Sequence, residues 1–185
     1  RNAAPERNPG ITGRRAPTPV DDRWRHQNRA LDIFCEKKAG ILEMATGTGK
    51  TRTALNILAK LYDTGQITGA IITLMGKDLL PQWRDAIMEY TLKHNISLTL
   101  YREFNQYYEA QTFSLAPEDR ILLIARNRLQ DLFHELAPEN RSGLLIIHDE
   151  IHELGSPGLR NTLAGEHRHF PFRLGLSATK ERPYD

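Results

Sequence analysis

Short apolar runs alternate with amphipathic segments from about residue 24 to residue 178. The runs GILEM, AIITLM, ISLTLY, ILLIA, LLII and RLGLSA are mostly apolar and no longer than six residues. Between several of them apolar side chains recur at helical spacing, as Leu79, Trp83 and Ile87 do, which indicates a helix with one buried face. Apolar strands that alternate with such helices predict an α/β fold, in which a mainly parallel sheet is covered by helices on both faces.

The same pattern predicts four helices. The first follows Trp24, carries Leu31, Phe34 and Cys35 at helical spacing and stops at Gly40. The other three occupy residues 51–62, residues 77–92 and a segment whose buried face holds Leu129, Leu132, Phe133 and Leu136.

Residues 1–22 differ from the rest of the chain. They hold four of the ten prolines and show almost no apolar periodicity, which predicts a linker or a disordered arm. Its arginines would either touch a phosphate backbone or keep a tether solvated. A chain of 185 residues has room for one domain with a sizeable core, which we place at residues 23–185.

Composition excludes several classes of protein. A membrane span needs about twenty consecutive apolar residues, and no run here approaches that length. The single cysteine, Cys35, cannot form an internal disulfide and fits a reducing compartment, so we expect a cytoplasmic location. The net charge of +2 is too small to point to nucleic acid without further evidence.

Ligands of parallel sheets bind beyond the carboxyl ends of the strands, and the first such loop has the sequence MATGTGKT. Gly47 and Gly49 let successive N–H groups point into one concavity, which suits phosphate. Lys50 would reach the β- and γ-phosphates, and the Thr51 hydroxyl would ligate magnesium. Met44 stands where a strict Walker A motif has glycine. The alternative is an ordinary glycine-rich turn before a helix.

The loop after the LLII run is acidic and has the sequence HDEIHE. A nucleotide site needs a carboxylate for magnesium and a base for the attacking water, and Asp149 and Glu150 fit these two roles. A rival hypothesis is a zinc site at His148 and His152. It is weaker, because zinc proteases place a glutamate directly after the first histidine and carry both histidines on a helix.

The loop after the RLGL run contains two hydroxyl side chains, Ser177 and Thr179. Alone, they would be explained by ordinary turn chemistry. They follow the phosphate loop and the acidic loop in chain order, so the three loops together form an ordered set of motifs.

As a set, these motifs resemble the first motor domain of a superfamily 2 helicase or translocase, a three-layer P-loop NTPase domain of the RecA-like type. HQNRAL resembles the glutamine motif, MATGTGKT motif I, HDEIH motif II in its DExH form, and LSAT motif III. LMGKDLLPQW and IARNRL take the places of motifs Ia and Ib. The sequences of these motifs are most similar to those of bacterial motors of the restriction-enzyme helicase-subunit (ResIII-like) group, which mostly act on DNA. Lys180 departs from that group, which usually has proline there.

The resemblance implies ATP and Mg²⁺ as cofactors. Thr51 and Asp149 would ligate Mg²⁺, and Glu150 would orient and deprotonate the attacking water. Gln27 would bind the adenine edge, and Lys50 would complete the catalytic group with Asp149 and Glu150. The implied nucleotide-binding set is Gln27, Thr46, Gly47, Thr48, Gly49, Lys50 and Thr51.

The resemblance also implies partners. His152, Ser177 and Thr179 would couple the nucleotide state to a second motor domain and to nucleic acid. That second domain, which we expect on a longer chain, would supply the arginine that completes the ATPase site, so the isolated fragment should be nearly inactive. Nuclease or methylase modules fit the same group, and a membrane does not. Contacts to the nucleic-acid backbone are expected from Gly76, Lys77 and Arg126.

Three functions compete at this point. The first is an ATP-driven motor on nucleic acid, most consistent with DNA. The second is an ATP-dependent sensor or assembly module that binds nucleic acid without moving along it. The third is a P-loop small-molecule kinase, which leaves HDEIH and LSAT unexplained.

Five aromatic or imidazole side chains have simpler explanations than ligand binding. Trp83 lies on an apolar stripe, so packing is favoured over base stacking for it and for Tyr107 and Tyr108. His167 and His169, in GEHRHF, are expected on a solvated loop rather than in a metal site.

Overall fold

The structure is a computed structural model that describes residues 25–45, 47–76, 78–151 and 165–178. The predicted arm at residues 1–22 lies outside these ranges. So do four of the predicted site residues: Thr46, Lys77, His152 and Thr179.

The described residues form five α-helices and seven β-strands. The helices are α1 (Arg25–Lys37), α2 (Lys50–Asp63), α3 (Leu79–His94), α4 (Ala110–Leu115) and α5 (Leu129–Glu135). The strands are β1 (Ala39–Met44), β2 (Gly69–Leu74), β3 (Thr99–Phe104), β4 (Tyr107–Tyr108), β5 (Arg120–Ala125), β6 (Leu144–His148) and β7 (Phe172–Ala178). Short 3₁₀ turns lie at Arg126–Arg128, Pro138–Arg141 and Glu166–His169.

All seven strands belong to one sheet in the order β1-β7-β6-β2-β5-β3-β4. Neighbouring strands are parallel, except that β4 runs antiparallel to β3. The predicted α/β fold with a mainly parallel sheet is therefore confirmed. Since β7 lies between β1 and β6, the loops that follow these three strands all emerge at one edge of the sheet.

Helices cover both faces of this sheet. On one face, α1, α2 and α3 pack their apolar side chains, among them Leu58 and Trp83, against the strands. On the other face, α4 and α5 contribute residues such as Phe113 and Leu132. Strand β2 is buried on both sides, which explains why its sequence is apolar except for Thr73. Among the described helices, none is long and apolar enough to cross a membrane.

The segment after α3 differs from the sequence prediction. The strand predicted from ISLTLY at residues 96–101 occurs three residues later, at Thr99–Phe104. The reason is that α3 runs to His94 and ends at Asn95, whose φ of 53° is left-handed. Leu98 then packs against the core before the strand begins. Strand β4 and helix α4 were not predicted.

Candidate active site

The loop after β1 is shaped by its glycines. Gly47 and Gly49 have φ angles of 80° and 93°, which side-chain-bearing residues rarely adopt. A Cβ atom at Gly49 would also lie 2.6 Å from the Gln27 side-chain nitrogen. Helix α2 begins at Lys50, immediately after this loop. The free N–H groups and the positive dipole end of α2 therefore face the loop, as an anion site requires.

Gln27 reaches this loop from α1. The side chain is buried, and its Nε2 donates a hydrogen bond to the carbonyl oxygen of Thr48 at 3.2 Å. The Thr48 hydroxyl in turn donates to the Ala45 carbonyl at 2.6 Å. Gln27 thus contacts the glycine loop itself, and its role in binding adenine stays a prediction.

The acidic loop continues from β6 and meets the glycine loop. The amide of Asp149 donates to the Thr73 carbonyl at 3.0 Å, which extends the pairing of β6 with β2 by one residue. Glu150 follows with a left-handed φ of 49°, and this turn takes the chain out of the sheet. The Lys50 Nζ lies 3.4 Å from Oε1 of Glu150. The structure therefore brings together the predicted phosphate cation and the predicted base.

Both oxygens of the Asp149 carboxylate accept hydrogen bonds. The amide of Glu150 donates to Oδ1 at 3.0 Å, and the Trp83 indole Nε1 donates to Oδ2 at 2.9 Å. Asp149 is 8% exposed and Trp83 is 3% exposed. Trp83 therefore packs in the core as its apolar stripe predicts, and in addition holds an acidic residue of the site. A buried tryptophan N–H requires an acceptor, and that requirement was the sequence signal for this contact.

Arg126 is buried rather than exposed. Arg126 is 2% exposed, and its guanidinium donates hydrogen bonds to the carbonyl oxygens of Asp149 and Glu150. The guanidinium thus contacts the backbone of the acidic loop, and Arg126 also lines the groove described below. These bonds support the left-handed turn at Glu150, and the nucleic-acid contact of Arg126 stays a prediction.

His148 and His167 form a second contact behind the acidic loop. Their Nε2 atoms are 3.0 Å apart, so one ring donates to the other. Burial, followed by the proximity of His167 and of Arg126, lowers the pKa of His148 well below its ordinary value. His148 is therefore neutral. The solvated position expected for His167 is wrong, because this side chain is half-buried and also meets the Phe133 ring edge-on.

Three further predicted residues lie near these loops. Ser177 pairs with Glu43 across β7 and β1, so it lies at the same sheet edge as the glycine loop. Thr51 is half-buried in the first turn of α2. Gly76 is exposed and has a φ of 97°. In the described part of the chain, no three His, Cys, Asp or Glu side chains form a metal-binding group; the zinc hypothesis includes His152, which lies outside that part.

A groove of about 620 Å³ opens beside the acidic loop, at the carboxyl ends of β2, β5 and β3. Arg128 lines it, forms an ion pair with Glu103 at 2.7 Å and stacks its guanidinium 4.6 Å from the centre of the Tyr108 ring. Tyr108 is 74% exposed. Of the residues that line the groove, Gly76 and Arg126 were expected from the sequence to contact nucleic acid, and Arg128 was assigned no role. The polar residues and the glycine that line it are Gly76, Asn105, Arg126, Asn127 and Arg128.

Two curated proteins are similar in sequence to this chain. The DNA 3'-5' translocase XPB2 of Sulfurisphaera tokodaii is 26% identical over 158 residues, which cover 85% of this chain and 30% of that protein. The DNA 3'-5' helicase XPB of Kineococcus radiotolerans is 27% identical over 167 residues, which cover 88% of this chain and 28% of that protein. The chain thus spans less than a third of the length of these relatives.

The fold is shared with solved helicase structures. The DUF1998 helicase MrfA, bound to DNA and AMPPNP, superposes with a TM-score of 0.67 at 18% identity, over 85% of this chain and 24% of that one. This likeness concerns the fold, which is that of a RecA-like helicase domain. At the level of sequence, the family described as "Type III restriction enzyme, res subunit" matches residues 22–182. Because that match covers most of the chain and agrees with the motifs, the chain belongs to the family of Type III restriction enzyme res subunits.

Proposed function

We propose that the chain is the ATP-binding half of an ATP-dependent helicase or translocase that acts on DNA. Residues 23–185 would form the first motor domain, and residues 1–22 a linker. The observation that carries this proposal is the meeting of Lys50 and Glu150 at 3.4 Å. It joins the loops after two different strands into one site, with a phosphate cradle on one side and a catalytic carboxylate on the other.

The glycine loop would bind the triphosphate. Its backbone N–H groups, the start of α2 and the Lys50 ammonium all present positive charge to the same place. Gln27 would contact the adenine while its Nε2 supports the loop at Thr48. The loop residues Thr46, Gly47, Thr48 and Gly49 would surround the phosphates.

Magnesium would be held by Thr51 and Asp149. A hydroxyl and a carboxylate are the hard oxygen ligands that Mg²⁺ takes beside phosphate oxygens and water, so the donor set fits the ion. When bound, Mg²⁺ would neutralise charge on the β- and γ-phosphates. Asp149 is suited to this role because its two hydrogen bonds come from neutral N–H donors, which leave its negative charge in place.

Glu150 would orient and deprotonate the attacking water. Its Oε1 lies 3.4 Å from the Lys50 ammonium, so the base and the phosphate cation share one side of the site. The left-handed turn at Glu150 and the hydrogen bonds from Arg126 to the adjacent carbonyls keep this side chain aimed at the glycine loop.

A second motor domain would complete the enzyme. Transition-state charge in this class of reaction is stabilised by an arginine from another domain, and His152, Ser177 and Thr179 would connect the two halves. The pairing of β7 with β1 is consistent with this role for Ser177, because Ser177 lies opposite Glu43, one residue before the end of β1. Nuclease or methylase modules on the same protein would fit the family.

The nucleic-acid strand would lie along the sheet edge that holds Gly76, Lys77 and the neighbouring groove. The two curated relatives are named as DNA enzymes, which favours DNA over RNA. Contacts to the strand would go mainly to phosphates and carry no sequence information.

The alternative is a sensor that binds ATP and DNA without translocation. The decisive experiment uses a chain that includes the second motor domain and measures ATP hydrolysis with DNA, with RNA and without nucleic acid. We expect stimulation by DNA. Displacement of a triplex-forming strand then separates a translocase from a sensor, and absence of nucleotide binding would refute both.

A further inference from the structure

Trp83 of α3 connects the apolar core to the acidic loop. Its indole Nε1 lies 2.9 Å from Oδ2 of Asp149, and both residues are buried. We propose that Trp83 is a positioning residue that fixes the Asp149 carboxylate for the metal of a metal–nucleotide complex. The inference rests on the proposed function, and it gives Trp83, the last residue of the LMGKDLLPQW stretch, a role toward the metal.

The geometry fixes the rotation of the carboxylate. Oδ1 accepts from the Glu150 amide and Oδ2 accepts from Trp83, so turning the group about its Cβ–Cγ bond would break both hydrogen bonds. Each oxygen keeps a second lone pair, which is available to a metal ion or to its bound water. Water cannot easily replace the indole as donor, because Trp83 is only 3% exposed.

The chemical type of the donor is important. An indole N–H donates, accepts nothing and carries no charge, so it orients Asp149 without competing with a cation for it. A lysine or arginine at this position would neutralise the carboxylate that the metal needs. The indole itself is held by the core, where it packs in one cluster with Leu80 and Ile87 of the same helix. A rigid donor of this kind pre-organises the ligand before the metal arrives.

The test is the metal dependence of nucleotide affinity in the full chain. Calorimetry with AMPPNP would be performed in Mg²⁺ and in EDTA, and the ratio of the two affinities would be compared between wild type and Trp83→Phe. We expect the ratio to fall about tenfold, which corresponds to the loss of one hydrogen bond to a charged group. The affinity in EDTA should stay unchanged. Ile87→Val, on the same buried stripe, is the packing control and should keep the wild-type ratio.

The outcomes are distinguishable. An unchanged ratio in Trp83→Phe overturns the positioning role while leaving the proposed function intact. A wild-type chain that binds AMPPNP in neither condition refutes the proposed function, and the inference falls with it. A fall in the ratio in Ile87→Val equal to that in Trp83→Phe assigns the effect to packing and overturns the inference.

A spectroscopic measurement covers the case in which Trp83→Phe does not fold. The chain has two tryptophans, so Trp24→Phe leaves Trp83 as the remaining tryptophan, whose emission is excited selectively over that of tyrosine. Because its N–H is bonded to the proposed metal ligand, Trp83 emission should shift with Mg²⁺ and AMPPNP together and stay constant with AMPPNP in EDTA. The same emission in both conditions overturns the proposal.

Discussion

The Nζ of Lys50 lies 3.4 Å from Oε1 of Glu150, although the two residues are 100 positions apart in the chain. Their side chains are 14% and 28% exposed, so the contact is partly shielded from water. The contact places the proposed phosphate cation directly beside the proposed base.

Replacing Lys50 with alanine should remove tight triphosphate binding. The loop would lose its cation near the β- and γ-phosphates, and charge-assisted hydrogen bonds are each worth about 1.5–3 kcal/mol, so we expect affinity to fall about a hundredfold or more. Calorimetry with ATP measures this. Lys60→Ala, an exposed change near the other end of α2, is the control, and equal affinities in the two variants would remove Lys50 from the site.

Replacing Glu150 with glutamine should separate binding from hydrolysis. Glutamine keeps the shape of the side chain but cannot accept the proton, so turnover should fall by about a hundredfold to ten-thousandfold. Affinity for ATP should be kept or improved, because Lys50 is no longer held by a charge. Single-turnover hydrolysis on a chain with both motor domains, beside a binding titration, provides the test. Wild-type turnover would show that another group is the base.

The 185-residue chain alone should hydrolyse ATP barely above background, with little stimulation by DNA. It contains the phosphate loop, Asp149 and Glu150, but the arginine expected from a second motor domain is worth about a thousandfold or more in rate. Phosphate release should be compared between this chain and a longer one, each with and without DNA. Robust DNA-stimulated turnover by the short chain would contradict the two-domain mechanism.

Glu166 should make stability depend on pH at the acidic end. A hydrogen bond from the buried Arg141 guanidinium lowers the pKa of Glu166 below its ordinary value of 4.5. A lowered folded-state pKa means that this stabilisation is fully present above about 4.5 and is lost as the pH falls through the lowered value. Because the Glu166 side chain is 38% exposed, solvent screening keeps the effect modest.

Urea unfolding of Glu166→Gln at several pH values tests this expectation. The variant should be less stable than wild type at pH 7, and the difference should disappear in acid. Glu36→Gln, at a carboxylate whose side chain is 75% exposed, should show no comparable difference. A destabilisation by Glu166→Gln that is the same at pH 7 and in acid would attribute the effect to lost shape rather than lost charge.

The loops at the strand ends were predictable from sequence because their signals are local. Gly47 and Gly49 adopt the positive φ angles that a phosphate loop needs, and Asp149 follows an apolar run that is indeed the buried strand β6. The two short elements, α4 and β4, could not be predicted from the sequence. Helix α4 has six residues and β4 has two, which is less than the window over which periodicity can be detected.

The contacts behind the site depend on residues that are distant in sequence. Trp83 and Asp149 are 66 positions apart, and no local pattern pairs them. Arginine is rarely fully buried unless it is paired, and the partners that bury Arg126 are carbonyl oxygens of Asp149 and Glu150, more than twenty positions away. The prediction for His167 was wrong because its partner, His148 at the end of β6, is 19 positions away in the chain.

Helix α3 begins at Leu79, three residues after Gly76, and presents Trp83 to Asp149 one turn later. A strand of DNA that displaced this helix would therefore change the strength of the Trp83 hydrogen bond and with it the affinity for the metal. Thermodynamic linkage makes such an effect reciprocal, so the metal would alter DNA affinity by the same factor. The indole would then act as a coupling element between two ligands, neither of which it contacts.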